Sequence, residues 1–302
     1  MQRLIIVYNP RSSRFIDVEK EILTPAKNLK GYIIGKYKVE NTDVDQNADK
    51  FAKIIKDGDL VVSAGGDATG IIASNGIIKS GKDATLAVLP YGNFNDLSRT
   101  LGTKTLTDAL SPESTVKKLY PLEIIVDGEF FRYATCYVTI GMTAEACELF
   151  DEPKFRKSMQ KGHKSSWRSY LALAKWYFKN RHKKVFIPEF TLNGKKTAKG
   201  ISDYCALSGK SMCRVMKGGD DYLKPKVFRS ENCRLTSLWR LTKLMVAAIF
   251  TRTPGTPTTN DILEFTNPAT VELQAEGEYR TFKDIKSIEI KKGEKYIKVI
   301  HK

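Results

Sequence analysis

Residues 59–70 read DLVVSAGGDATG, an apolar run that passes through Ser63-Ala64 straight into Gly65-Gly66-Asp67. A short β-branched run ending in paired glycines describes a buried strand that turns at once. From Ala68 to Lys79 the residues suit a helix, which stops at Ser80-Gly81, so the turn joins a strand to a helix. Glycines there let the backbone approach a phosphate closely, beside the N–H groups of a helix N-terminus. Asp67 is placed to hold Mg²⁺ or a ligand hydroxyl, or simply caps the helix in a tight turn.

The same grammar recurs on either side. ATLAVLP (84–90) is a strand running into Tyr91-Gly92-Asn93-Phe94-Asn95-Asp96, with a helix Asn95–Leu101 closing at Gly102. RLIIVY (3–8) is a strand followed by Asn9-Pro10-Arg11-Ser12-Ser13. A further strand is expected at 32–39, and helices over 19–29 and 48–56. Strands alternating with helices imply a parallel sheet with helices on its faces, and ligands bind at the carboxyl ends of such strands. The three loops therefore face one crevice. After about residue 115 the pattern changes to a hairpin around Asp127-Gly128, helical insertions near 164–181 and 236–250, and strands near 262–266, 270–274, 286–291 and 296–300. The expected fold class is an α/β N-terminal domain, residues 1–120, followed by a mostly β, β-sandwich-like domain, residues 121–302, whose last strands pack back on the first.

The charge is functional information. Lysine and arginine number 50 against 34 acidic residues, a net charge of +16. That excess calls for an acidic partner: a phosphorylated ligand, nucleic acid or an anionic membrane surface. It concentrates in residues 151–200, and within them in HKSSWRSYLALAKWYFKNRHKK (163–184). There Trp167, Tyr170, Leu171, Ala174, Tyr177 and Phe178 share a helical face with lysines and arginines around it, a pattern that suits a membrane surface through segment 164–184. The alternative is that this face packs on the β domain and only the charges are solvated. Nucleic acid is disfavoured, because no zinc-finger, RNP or helix-turn-helix signature occurs. The longest apolar run, Leu244–Phe250, is far too short to span a bilayer. The N-terminus reads as a strand, not a signal peptide. Five cysteines without a C-x-x-C pair point to reduced thiols in the cytoplasm. Three histidines, two of them in basic stretches, argue against a histidine-centred triad.

The three loops, in this order, resemble the diacylglycerol kinase catalytic domain family, which includes bacterial lipid kinases and sphingosine kinases, with NAD kinases more distant. The family pattern N-P-x-S-G, a Thr after the second strand, G-G-D-G-T and P-x-G-T-x-N-D-x-A-R corresponds to Asn9–Ser13, Thr42, Gly65–Thr69 and Pro90–Arg99. Ile140–Ala144 is similar to its I-G-F-D-A, Gly218-Gly219 with Pro225 to its G-G-G…P-x-A, and Glu276-Gly277-Glu278 to its D-G-E. The resemblance implies an ATP- and Mg²⁺-dependent lipid kinase at the inner face of the cytoplasmic membrane. Asn9, Arg11, Ser12, Ser13, Thr42, Gly65, Gly66, Asp67, Ala68, Thr69 and Asn93 then line the nucleotide. Glu278 is the general base and Asp67 a catalytic carboxylate. Asp67 and Asp96 organise the catalytic metal, and Glu231 replaces the Asp of a separate structural Mg²⁺ loop. The partners are a lipid substrate and the anionic surface; a homodimer stays open.

This chain also departs from the pattern. Ala68 replaces a glycine, and if the backbone there is left-handed the added methyl costs about 1 kcal/mol. Ile71-Ile72 replace an Asn-Glu pair, Asn93 and Phe94 replace the Thr and its neighbour, Ser13 stands where Gly is usual, and Glu123 stands near the place of a linking-strand Asp. Two alternatives follow: a catalytically weak lipid- or nucleotide-binding protein on the same fold, and an NAD-kinase-like enzyme for a soluble metabolite.

Overall fold

The computed structural model describes residues 1–151, 165–179, 187–197, 200–213, 216–217, 224–229 and 258–302. The chain divides into two compact units, 1–121 with 293–302, and 122–292.

The first unit is built on a six-stranded sheet. Its strands are β1 (Gln2–Tyr8), β2 (Tyr32–Lys38), β3 (Leu60–Gly65), β4 (Thr85–Pro90), β5 (Thr115–Leu119) and, from the far end of the sequence, β17 (Ile297–His301), in the order β2-β1-β3-β4-β17-β5. All neighbours are parallel except β17 and β5. The apolar runs supply both faces, as a sheet covered by helices requires. Leu4 and Ile6 pack with Val18 and Ile22 of the helical stretch that starts at α1 (Phe15–Val18). The longest helix of this unit, Asp67–Ser80, packs against the helix Val44–Ala52, where a Cβ at Gly76 would lie 2.6 Å from the Phe51 ring. The expected stop at Gly81 is left-handed, φ +64°, and so is Gly102 after Asp96–Leu101. The helix expected over 48–56 instead runs 44–52, because Asp43 caps it by accepting from the Gln46 N–H.

The second unit is a largely antiparallel sheet. It contains β6 (Leu122–Val126), β7 (Glu129–Ala134), β8 (Tyr137–Gly141), β9 (Phe190–Leu192), β10 (Lys195–Lys196), β11 (Ile201–Leu207), β14 (Lys224–Arg229), β15 (Asn260–Ala275) and β16 (Glu278–Lys292), with β12 (Ser211–Met212) and β13 (Met216–Lys217) as a separate pair. The main path runs β14-β11-β8-β15-β16-β6-β7. The Asp127-Gly128 hairpin forms as expected, with φ +49° and +83°. Four separate strands were expected across 262–300. Instead the first three merge into one long hairpin, β15–β16, with register shifts between Glu264 and Val271. Those bulges bend a strand pair without ending it. One end of β15 pairs with β9 and the other with β8, and residues from both halves share a single core.

The basic segment forms a helix, Ser165–Lys179. Leu171, expected on its apolar face, is 53% exposed. Residues 164 and 180–184 lie outside the described residues. So do Glu231, Gly218-Gly219 and the helix expected over 236–250. No helix of the described residues is long and apolar enough to cross a membrane.

Candidate active site

The register of the first sheet aligns the strand ends. Tyr8 lies beside Lys38 and Ala64, and Gly65 beside Pro90, so the loops that follow β1, β2, β3 and β4 emerge at one edge. Hydrogen bonds then tie them together. The Ser12 hydroxyl donates to the Tyr91 carbonyl at 2.6 Å, and the Tyr91 N–H donates to Gly65 O at 3.0 Å. The Arg11 guanidinium donates to the Asn41 carbonyl, which anchors the loop carrying the exposed Thr42. Asn9 Oδ1 accepts from the Arg11 N–H at 3.0 Å, an Asx turn that shapes the first loop.

The two glycine loops touch. A Cβ on Gly92 would lie 2.3 Å from Gly66 Cα, and one on Gly65 would lie 2.2 Å from Thr69 Oγ1, so neither position admits a side chain. Asn95 fixes this contact. It sits in the left-handed region at φ +57°, its Oδ1 accepts from Gly92 N–H at 2.7 Å, and its Nδ2 donates to Gly92 O at 2.9 Å. Its backbone N–H donates to Asp67 Oδ2 at 3.0 Å. The sequence reading placed Asn95 in the second motif and at the start of a helix but gave it no role in the site, and the structure makes it the left-handed residue before that helix; an asparagine beside a glycine turn, the residue most tolerant of positive φ after glycine, is the signal. Nor did the sequence reading give a role to Tyr91, whose hydroxyl donates to Glu21 Oε2 at 2.8 Å and whose pKa is raised by burial and then by Glu21.

Asp67 starts the Asp67–Ser80 helix. Its residue surface is partly open, yet its carboxyl group is enclosed between the loops. Desolvation, and then the negative charge of Asp96, push its pKa up, against the N–H bonds from Leu97 and Asn95. Asp96 is 1% exposed and is held by Arg99 at 2.5 Å. Two like charges brought together away from water fit a divalent cation, which would relieve both the desolvation and the repulsion. Among the described residues no cluster of three or more metal-ligating side chains occurs. Ser13 Oγ is enclosed without a hydrogen-bond partner, so it has a donor to offer a phosphate oxygen.

The departures from the motif now have local reasons. Ala68 is not left-handed; it lies within the Asp67–Ser80 helix, so the expected strain of about 1 kcal/mol is absent and alanine is the better helix former. Ile71 and Ile72 are 0% and 1% exposed, apolar residues at core positions. Glu123 on β6 stands directly opposite Lys291 and pairs with it at 3.8 Å.

In the second unit, Glu278 opens β16 after a two-residue turn formed by Glu276 (φ +51°) and Gly277 (φ +94°). Glu276 is buried. Its carboxylate accepts from Thr135 Oγ1 at 2.8 Å and from the Cys136 N–H, which pins the turn to the start of β8. Glu278 pairs with Ala275 and is half-buried. On β11, Asp203 is 1% exposed and accepts from the Thr143 N–H at 2.6 Å; burial pushes its pKa up to about 7.

Residues 3–125, which hold all four loops, match the family described as diacylglycerol kinase catalytic domain. That segment belongs to the diacylglycerol kinase catalytic domain family. A diacylglycerol kinase of Bacillus subtilis (strain 168) is 32% identical over 165 residues, 53% of this chain and 52% of that protein. The match thus spans about half the length of the curated relative. The fold of the whole chain is similar to a crystal structure of a diacylglycerol kinase from Bacillus anthracis str. Sterne, with a TM-score of 0.62 and 16% identity over 100% of this chain and 97% of that one. A second crystal structure from the same organism aligns with a TM-score of 0.66 at 17% identity, over 100% and 98%. The diacylglycerol kinase-family fold therefore accounts for both the parallel and the antiparallel sheet.

Proposed function

We propose that this protein is an ATP-dependent lipid kinase that transfers the γ-phosphoryl group to a lipid hydroxyl. The single observation that carries the reading is the closure of the Gly65-Gly66-Asp67 turn on Gly92, locked by Asn95 in a segment that matches a kinase family. Asn9, Arg11, Ser12, Ser13, Thr42, Gly65, Gly66, Ala68, Thr69 and Asn93 line the nucleotide. The glycines admit the phosphates to the backbone, and the first turn of the Asp67–Ser80 helix offers them N–H groups. Asp67, with the charge of Asp96 beside it, holds Mg²⁺. When bound, that ion neutralises charge on the phosphates.

Glu278 is the general base. The acceptor hydroxyl gives its proton to the Glu278 carboxylate as its oxygen bonds to the γ-phosphorus; the bridge to the β-phosphate breaks, and ADP leaves with that electron pair. The acceptor is a diacylglycerol-like lipid presented at an anionic membrane surface, which the basic helix Ser165–Lys179 meets with its charged side. The test is incubation with labelled ATP, Mg²⁺ and mixed-lipid vesicles. A chloroform-soluble labelled product supports the reading. Label confined to water-soluble NADP overturns it in favour of a metabolite kinase, and nucleotide binding without turnover overturns it in favour of a binding protein.

A further inference from the structure

Tyr91 fills the variable position of the P-x-G-T pattern, directly after β4 and directly before the Gly92 that meets Gly66. It is 3% exposed, and its polar groups reach three separate segments. Its N–H donates to Gly65 O at 3.0 Å, its carbonyl accepts from the Ser12 hydroxyl at 2.6 Å, and its phenol hydroxyl donates to Glu21 Oε2 at 2.8 Å. The Arg14 guanidinium stands 5.3 Å from the centre of its ring and donates to the neighbouring Pro90 carbonyl at 3.2 Å. One residue thus ties the Gly65-Gly66 turn to the loop after β1 and to the helical stretch that follows that loop.

That helical stretch widens where Glu21 sits. The Thr24 N–H donates to Glu19 O, five residues back, so Glu19–Leu23 form a π-helical turn between the α-helical Phe15–Val18 and Thr24–Ala26. Pro25 supplies the cause. Proline lacks an N–H, and its ring collides with the carbonyl four residues back in an α-helix, which here is that of Glu21. The wider turn relieves the collision, and the Thr24 hydroxyl adds a second donor to Glu19 O at 2.9 Å. Single π turns inside α-helices recur at functional sites.

We infer that Tyr91 is a positioning residue of the nucleotide site: the π turn made by Pro25 aims Glu21 at the phenol, and the bond between them seats Gly92 against Gly66 before a nucleotide arrives. The inference rests on the reading of the Gly65-Gly66-Asp67 turn as the phosphate cradle. Tyr91 acts through its neighbours Gly65 and Gly92. Backbone donors already held in place bind an anion without first having to be ordered, so the effect of the bond appears in nucleotide affinity. Glu21 itself is exposed, and its replacement costs the fold little.

The experiment is equilibrium binding of β,γ-imido-ATP with Mg²⁺, by calorimetry. Tyr91→Phe should weaken binding about fivefold, and Glu21→Leu by the same factor. Glu21→Gln, which keeps an oxygen acceptor for the phenol, should stay close to the wild type. The double variant Tyr91→Phe/Glu21→Leu should be no weaker than either single one, because both remove the same bond. Pro25→Ala, which returns the missing N–H and lets the turn close to an α-helix, should weaken binding as Glu21→Leu does. Unchanged affinity in Tyr91→Phe overturns the inference, and so do additive losses in the double variant, since the two side chains would then act apart. Unchanged affinity in Pro25→Ala overturns the role of the π turn. If the wild type binds no nucleotide, the reading of the cradle fails, yet amide hydrogen exchange still decides whether Tyr91 holds the turn: faster exchange over residues 88–97 in Tyr91→Phe supports it, and equal exchange overturns it.

Discussion

At the scale of single residues, the site is a set of atoms whose tolerances are very unequal. Glu278→Gln keeps size and hydrogen bonding but, on the proposed mechanism, removes the proton acceptor. It should lower kcat by about 10²–10⁴ while leaving nucleotide affinity, measured by equilibrium binding, unchanged. Gly92→Ala places a methyl against Gly66 Cα, where backbone cannot yield as a side-chain tip does. The expected cost is about 1–3 kcal/mol in a denaturant melt, with weaker nucleotide binding. Ala68→Gly restores the family residue but inserts glycine into a helix, so it should lower the melting temperature, a loss of at most about 1 kcal/mol, without raising activity. An Ala68→Gly protein that melts higher would mean the local backbone is not helical. These three outcomes also mark what was legible. The glycines and Asp67 could be read because a turn closing this tightly on its neighbour leaves little choice of residue. Asn95 and Tyr91 could not, because a polar residue in a loop declares neither its φ nor its partner.

Elements were read best where one short-range signal suffices. Asp-Gly at 127–128 and the glycines that end helices at 81 and 102 act within their own turn, so sequence reveals them. The long β15–β16 hairpin was not legible. Thr266 to Pro268 look like a break between strands, yet the register shifts there carry pairing across. That hairpin ends in the turn that presents Glu278, and Glu276 pins it from within. Glu276→Ala leaves the Cys136 N–H and the Thr135 hydroxyl without their acceptor, at about 1–3 kcal/mol by chemical denaturation. A neutral result would show that the tip is held by β15–β16 pairing alone. The helix Ser165–Lys179 belongs to this scale too. Replacing Lys175 and Lys179 with glutamate should weaken binding to anionic vesicles in a sedimentation assay, most visibly at low salt. Equal binding in both proteins would remove this helix from the membrane surface.

For the whole molecule, buried acids set the response to pH. Asp203, with its pKa pushed up to about 7 from an unfolded value near 3.8, keeps its proton in the folded state over a range where the unfolded chain has lost it. Its contribution to stability is therefore full below about pH 4, declines as pH rises toward 7 and is flat above, a change on the order of a few kcal/mol. Asp67, raised by burial and Asp96, acts in the same direction. Melts from pH 4 to 8 should show the decline, and Asp203→Asn should flatten it; an equal slope in that variant would show that Asp203 does not titrate in this window.

The C-terminal strand has a consequence in time. Residues 122–292 are contiguous and can fold as soon as they leave the ribosome, whereas the parallel sheet lacks its fifth strand until residues 297–301 are made. β17 lies between β4 and β5, and the Lys302 N–H donates to Leu101 O beside the left-handed Gly102. The usual order of folding during synthesis, amino-terminal domain first, is thus inverted. A nascent chain stalled at residue 292 should already protect its antiparallel half from protease while its parallel-sheet half remains open to cleavage.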